Sequence, residues 1–146
     1  MQHIWTILCQ FASEDKNSNA LSLINVIDRI QITADPDKDA LDGIILPINF
    51  HLVSMWRCEK TEERDEAKAQ VKLYSPDMDD LGDINFSIGA TNSVFARWNT
   101  KINGFPYKGD GLYVYKVFHV QEEKPVEVQH IPVNVELIPY LDKDGQ

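Results

Sequence analysis

Cysteine is scarce, basic residues are few, and no apolar run is long. The 146 residues include two cysteines, Cys9 and Cys58. They are far apart, form no Cys-x-x-Cys pair and lie in apolar strand-like runs. A free thiol in such a setting behaves as a small buried hydrophobe, and a disulfide or a reactive thiol is the lesser expectation. Lys and Arg number 14 against 23 Asp and Glu, a net charge of -9. Nucleic-acid binders draw their affinity from cations that neutralise phosphates, so this balance argues against a nucleic-acid partner. It disfavours an anionic membrane surface for the same reason. No segment approaches the roughly 20 apolar residues that a membrane-spanning helix needs. The opening MQHIWTILCQF is too short for a signal peptide and lacks its Lys or Arg, while its polar alternation suits a first strand. The expected location is the cytoplasm.

Catalytic signatures are missing as well. There is no GxSxG, HExxH, GxxxxGK[ST] or GxGxxG. His3, His51, His119 and His130 fall on four different predicted strands, with no metal-ligand spacing between any two. The acidic loop Asp35–Gly43 carries carboxylates at alternate positions. A calcium loop wants a glycine after the third carboxylate and a distal bidentate Glu, and those places hold Ala40 and Leu46. A second acidic loop, Ser75–Asp83, has Gly82 in place but Leu81 at a ligand position and Ile88 at that of the Glu. No calcium binding at micromolar concentration is expected. No cofactor is expected either, and the domain reads as a non-enzyme.

What is present is a globular mixture, 43% hydrophobic and 25% charged, in a chain long enough to build one core without metal or disulfide. Its dominant period is two. In His3–Phe11 the residues Trp5, Ile7, Cys9 and Phe11 share a face. Leu21–Thr33 reads as one strand with Ile24, Val26, Ile30 and Ile32 on one side. Pro47–Lys60 reads as a central strand. Glu59–Gln70 is rich in helix formers, yet Ala67, Ala69, Val71 and Leu73 alternate, so a charged hairpin loop at Thr61–Glu66 followed by a strand is expected. Further strands are predicted at Ile84–Ile88, Ser93–Ile102, Leu112–Gln121 and Val126–Leu137. Pro132 marks the last as an edge or a bulged strand, and the change of parity between Val128 and Ile131 favours a bulge. The fold expected is all-β: an antiparallel, immunoglobulin-like β-sandwich of seven to eight strands. Residues 1–141 form the single domain and Asp142–Gln146 a frayed tail.

Three groups of residues merit attention. Asp28 shares parity with Ile24, Val26, Ile30 and Ile32, so a regular strand would bury its carboxylate at a high cost. Either a bulge turns it outward, or it takes hydrogen bonds from loop backbone or pairs with an Arg such as Arg97; a structural role outweighs a catalytic one. Tyr113, two residues after Gly111, fits a tyrosine corner in which the hydroxyl bonds back to upstream backbone. Phe105 and Tyr107, with Lys108 and Asp110 beside them, form the candidate partner-binding loop. The bland alternative has Phe105 plugging the open end of the core and Tyr107 exposed. The edge of Val126–Leu137 is the competing surface.

The segments WTILCQF and LSLINVIDRI, with INGFPYKGDGLYVYKVFHV and PVEVQHIPVNVEL, resemble an uncharacterised bacterial all-β domain family. Asp28 fits that family's second strand, whereas Asn25 and Ile27 depart from its small and aromatic residues. The resemblance implies a small immunoglobulin-like sandwich with no established activity and no catalytic residues to transfer. The expected function is a non-enzymatic protein-interaction module of the bacterial cytoplasm, binding an unknown protein or itself. A small-ligand or calcium-binding domain using the acidic loops is the alternative, and an enzyme of unrecognised type the third reading.

Overall fold

The computed structural model describes residues 1–34, 41–59 and 64–140. Nine strands lie within them: β1 Gln2–Glu14, β2 Leu21–Val26, β3 Arg29–Ala34, β4 Ile45–Arg57, β5 Asp65–Tyr74, β6 Asp80–Ala90, β7 Phe95–Pro106, β8 Gly111–Gln121 and β9 Lys124–Pro139. No α-helix occurs among the described residues. One sheet has the order β2-β1-β4-β7 and the other β3-β9-β8-β5-β6. Both contribute to one core, in which Leu8, Phe50, Leu52 and Trp56 from the first sheet meet Val71, Val117, Val133 and Val135 from the second.

Period two overrides helix propensity in β5, where Ala67, Ala69, Val71 and Leu73 are buried and Lys68 and Glu66 are exposed. That strand starts at Asp65, earlier than the expected loop Thr61–Glu66 allows, and β6 starts at Asp80, inside the expected acidic loop. Residues 35–40, 60–63 and 141–146 lie outside the described residues, and with them most of the first acidic loop and the tail.

The count of seven to eight strands and the all-antiparallel arrangement both need correction, for related reasons. Leu21–Thr33 is two strands in different sheets. Asn25 adopts a positive φ of 55°, a conformation that Asn tolerates better than most residues. The Ile27 amide donates to the Leu8 carbonyl in the first sheet at 2.8 Å, and the Asp28 carbonyl accepts from the Asn134 amide in the second at 3.0 Å. The chain thus changes sheets across one peptide bond. Having crossed, β3 runs parallel to β9, Arg29 opposite Asn134 through Ala34 opposite Pro139.

The crossing also settles Asp28. Its side chain is exposed, so the buried-carboxylate alternative is corrected, and Arg97 pairs with Glu14 instead. Ile24 and Val26 do not share a face with Ile30: they are 50% and 62% exposed against 7%.

Candidate functional site: a groove beside two open strand edges

The loop chosen from sequence for partner binding is built into the core. Phe105 and Tyr107 are 0% and 2% exposed, so the expected exposure of Tyr107 is corrected. The Tyr107 hydroxyl donates to Asp110 Oδ1 at 2.8 Å, and the same oxygen accepts the Leu137 amide at 3.0 Å. Burial, with the Asp110 carboxylate adding, raises the Tyr107 pKa well above its usual range. The Tyr113 hydroxyl accepts the Lys108 amide at 2.6 Å and donates to the Gly109 carbonyl at 2.8 Å. Tyr113 thereby ties the loop to the start of β8, and Lys108, held through its backbone amide, leaves its side chain exposed.

The competing edge is half closed. β3 covers β9 from Asn134 onward, leaving Lys124–Val133 paired with β8 alone among the described residues. Pro132 sits opposite Val114 within that ladder, and the register shift falls at Val117/Phe118. In the second acidic loop, Asp80 Oδ1 caps the Gly82 amide at 3.0 Å, which holds its carboxyl below the usual range.

Two histidines converge in a way that the spacing could not reveal. His3 and His119 meet the Trp56 ring edge-on, at centroid distances of 5.0 and 5.1 Å. His3 Nε2 shares a hydrogen bond of 2.9 Å with Thr6 Oγ1, which is bonded in turn to Ser54 Oγ, the acceptor for Trp56 Nε1–H. Burial, with the neighbouring His119, pulls the His3 pKa from 6.5 down to about 4. Burial lowers that of His119 too. Among the described residues no group of three or more His, Cys, Asp or Glu could hold a metal ion.

The depressed value for His3 has a definite sign. The unfolded chain takes up this proton first, so stability is full above pH 6.5 and falls as the pH drops towards 4. His3 is only half-buried, and solvent screening reduces the loss to about 1–2 kcal/mol. Urea midpoints at pH 7.5 and 4.5 check this: His3→Gln should fall by less than the parent, and an equal fall would contradict the assignment.

An exposed apolar surface lies elsewhere, on the β1–β2 hairpin. Trp5 opposes Met55, and Met55 opposes Arg97, so Arg97 is level with Trp5. Glu14 is nine residues farther along β1, or about 30 Å in a straight strand. Yet Arg97 Nη1 donates to Glu14 Oε1 and to the Asn19 carbonyl, each at 2.7 Å. The hairpin beyond Cys9 therefore folds back towards β7, across the outer face of its own sheet. Cys9 and Val53 are fully buried on that face, outside the main core. Burial raises the Cys9 pKa, the state of an inert thiol.

Phe11 and Ile24 are directly opposed on this arm, with Val26 beside them, and they are 57%, 50% and 62% exposed. Next to Val26 opens a groove of about 530 Å³. Its apolar walls are Val26, Ile27, Ile30, Ile32 and Ile48, and its polar rim includes Gln10, Asn25, Gln31 and Asn49. It lies where the chain leaves one sheet for the other, so it is flanked by β2 and β3, each terminal in its sheet. Neither outer edge has a strand partner among the described residues. Sequence reading missed this site because it took Leu21–Thr33 as one strand with its apolar residues turned inward. The available signal was Asn25, a residue suited to left-handed backbone in the middle of an apolar run. No protein-family model matches the chain, and no curated protein matches it.

Proposed function

We propose that this domain is a non-enzymatic interaction module of the bacterial cytoplasm, an immunoglobulin-like β-sandwich of the uncharacterised family that its sequence resembles. Its partner is an extended protein segment with alternating apolar residues, held along the open edge of β2 and the adjoining groove. The observation that carries this reading is the contiguity of Phe11, Ile24 and Val26 with a groove walled by isoleucines. A sheet edge is usually guarded by charge, proline or a bulge, because its unpaired N–H and C=O groups accept any passing strand. The β2 sequence Leu-Ser-Leu-Ile-Asn-Val has no charge and no proline. An added strand gains main-chain hydrogen bonds from the edge and places alternate side chains in the groove, which supplies selectivity.

The test is a fluorescent ten-residue peptide of alternating Val and Thr, followed by anisotropy and by amide hydrogen exchange. Binding should slow exchange in β2 and β3. The double substitution Ile24→Lys, Val26→Lys replaces exposed side chains, so it should leave the circular dichroism and thermal midpoint near the parent's and weaken binding at least tenfold. Binding that leaves β2 and β3 exchange unchanged, or that survives the double substitution, overturns the reading. Sedimentation showing that the parent self-associates through Ile24 and Val26 would make a second copy the occupant and displace the proposed partner.

A further inference from the structure

The side of the fold opposite the groove is formed by the other two edge strands, β6 and β7. Phe86 of β6 and Trp98 of β7 stack there, with centroids 3.7 Å apart and planes 6° from parallel, and they close the gap between the sheets. Towards one end from this clasp lies a separate cavity of about 190 Å³. Val71, Leu73, Leu81, Ile84, Ile102 and Pro106 make it apolar. Gly82 and Gly104, with φ of 129° and 88°, put bare backbone on its wall. A side chain at Gly104 is excluded, since its Cβ would fall 2.5 Å from Ile45 Cγ2.

Tyr115 also lines this cavity, and it is the one phenol there. The residue is 5% exposed and packs edge-on against Phe50. Tyr107 and Tyr113, comparably buried, both spend their hydroxyls on hydrogen bonds. No group among the described residues bonds the hydroxyl of Tyr115. A sealed hydroxyl in that position would cost about 1–3 kcal/mol. No sealed side-chain N or O in the described residues lacks a partner, so this hydroxyl keeps an opening, and the cavity is the space that Tyr115 borders.

We infer that the cavity binds a small, uncharged, mainly apolar molecule with one hydrogen-bonding oxygen, which Tyr115 engages. Size follows from volume: a dry cavity of roughly 150 Å³ admits benzene, so this one suits about seven to nine heavy atoms. Charge is set by the surroundings. The lining has no cation, and Asp83 stands at the mouth of a chain with net charge -9, which disfavours carboxylates. One donor on an apolar wall selects a ketone, ester, aldehyde or alcohol and orients it, as sparse polar groups do in ligand pockets.

Cyclohexanone and methylenecyclohexane test this, since they match in shape and differ in the carbonyl oxygen. Methyl resonances of Val71, Leu73, Leu81, Ile84 and Ile102 should shift on titration with either. Tyr115→Phe should weaken the ketone about three- to tenfold, the range of one hydrogen bond, and leave the hydrocarbon unchanged. Ile84→Phe, which fills the cavity from an edge strand, should abolish both. Absence of shifts at these methyls overturns the site. Equal effects of Tyr115→Phe on the two molecules, or none on the ketone, overturn the role of the hydroxyl.

Discussion

Phe105→Ala is expected to lower the unfolding free energy by about 3–5 kcal/mol. The ring is wholly buried, packs edge-on against Tyr113 at 5.0 Å, and belongs to the core shared by both sheets. Truncation removes apolar area from the core and leaves a cavity that the surrounding strands fill only in part. Phe105→Leu, which keeps most of the volume, should recover more than half of the loss. A urea midpoint within about 0.5 kcal/mol of the parent's would show that Phe105 is not a core residue. The same experiment separates the two uses that the sequence allowed for this loop, because a partner contact predicts lost binding at unchanged stability.

Asp110→Ala should cost about 2–4 kcal/mol, more than a surface carboxylate ordinarily contributes. One oxygen, Oδ1, accepts both the Tyr107 hydroxyl and the Leu137 amide. Tyr107 and Leu137 are 2% and 3% exposed, so removing the acceptor strands two buried donors. Tyr107→Phe on its own removes one of them and should cost about 1 kcal/mol. Combined with Asp110→Ala it should cost less than the sum, since the hydroxyl is then no longer left without its acceptor. Strict additivity in that double-mutant cycle, measured by urea unfolding, would refute the shared-oxygen account.

Alternation made β4, β5 and β8 legible, because a strand between two neighbours with one face in the core must repeat every second residue. It could not tell which sheet a strand joins. Ile24 and Ile30 have the same parity in sequence and opposite fates in space, since a left-handed residue and a crossing lie between them. The burial of Tyr107 is hidden from sequence for a different reason. Its neighbours Lys108, Gly109 and Asp110 look like a solvated loop, but Asp110 satisfies the phenol and so permits its burial. The meeting of His3 and His119 at Trp56 depends on the packing of two sheets, which local spacing does not encode. Tyr113 was readable because the glycine-then-tyrosine spacing is itself a local device. The candidate groove was legible only in its ingredients.

The parallel pairing of β3 with β9 sets the order in which the molecule can be completed. Gln31 and Glu136, bonded across that seam, are 105 residues apart in the chain. A ribosome adding about 5–20 residues each second finishes β3 several seconds before its mate exists. The β1–β2 and β8–β9 hairpins, by contrast, can each zip as soon as they are made. Bridging so wide a separation is slow because closure entropy must be met before any contact rewards it, which puts refolding in the millisecond-to-second range of non-local β proteins. During that interval β3 is open along both of its edges. A newborn chain thus passes through a window in which the strand beside the groove is as free to take a foreign strand as its own.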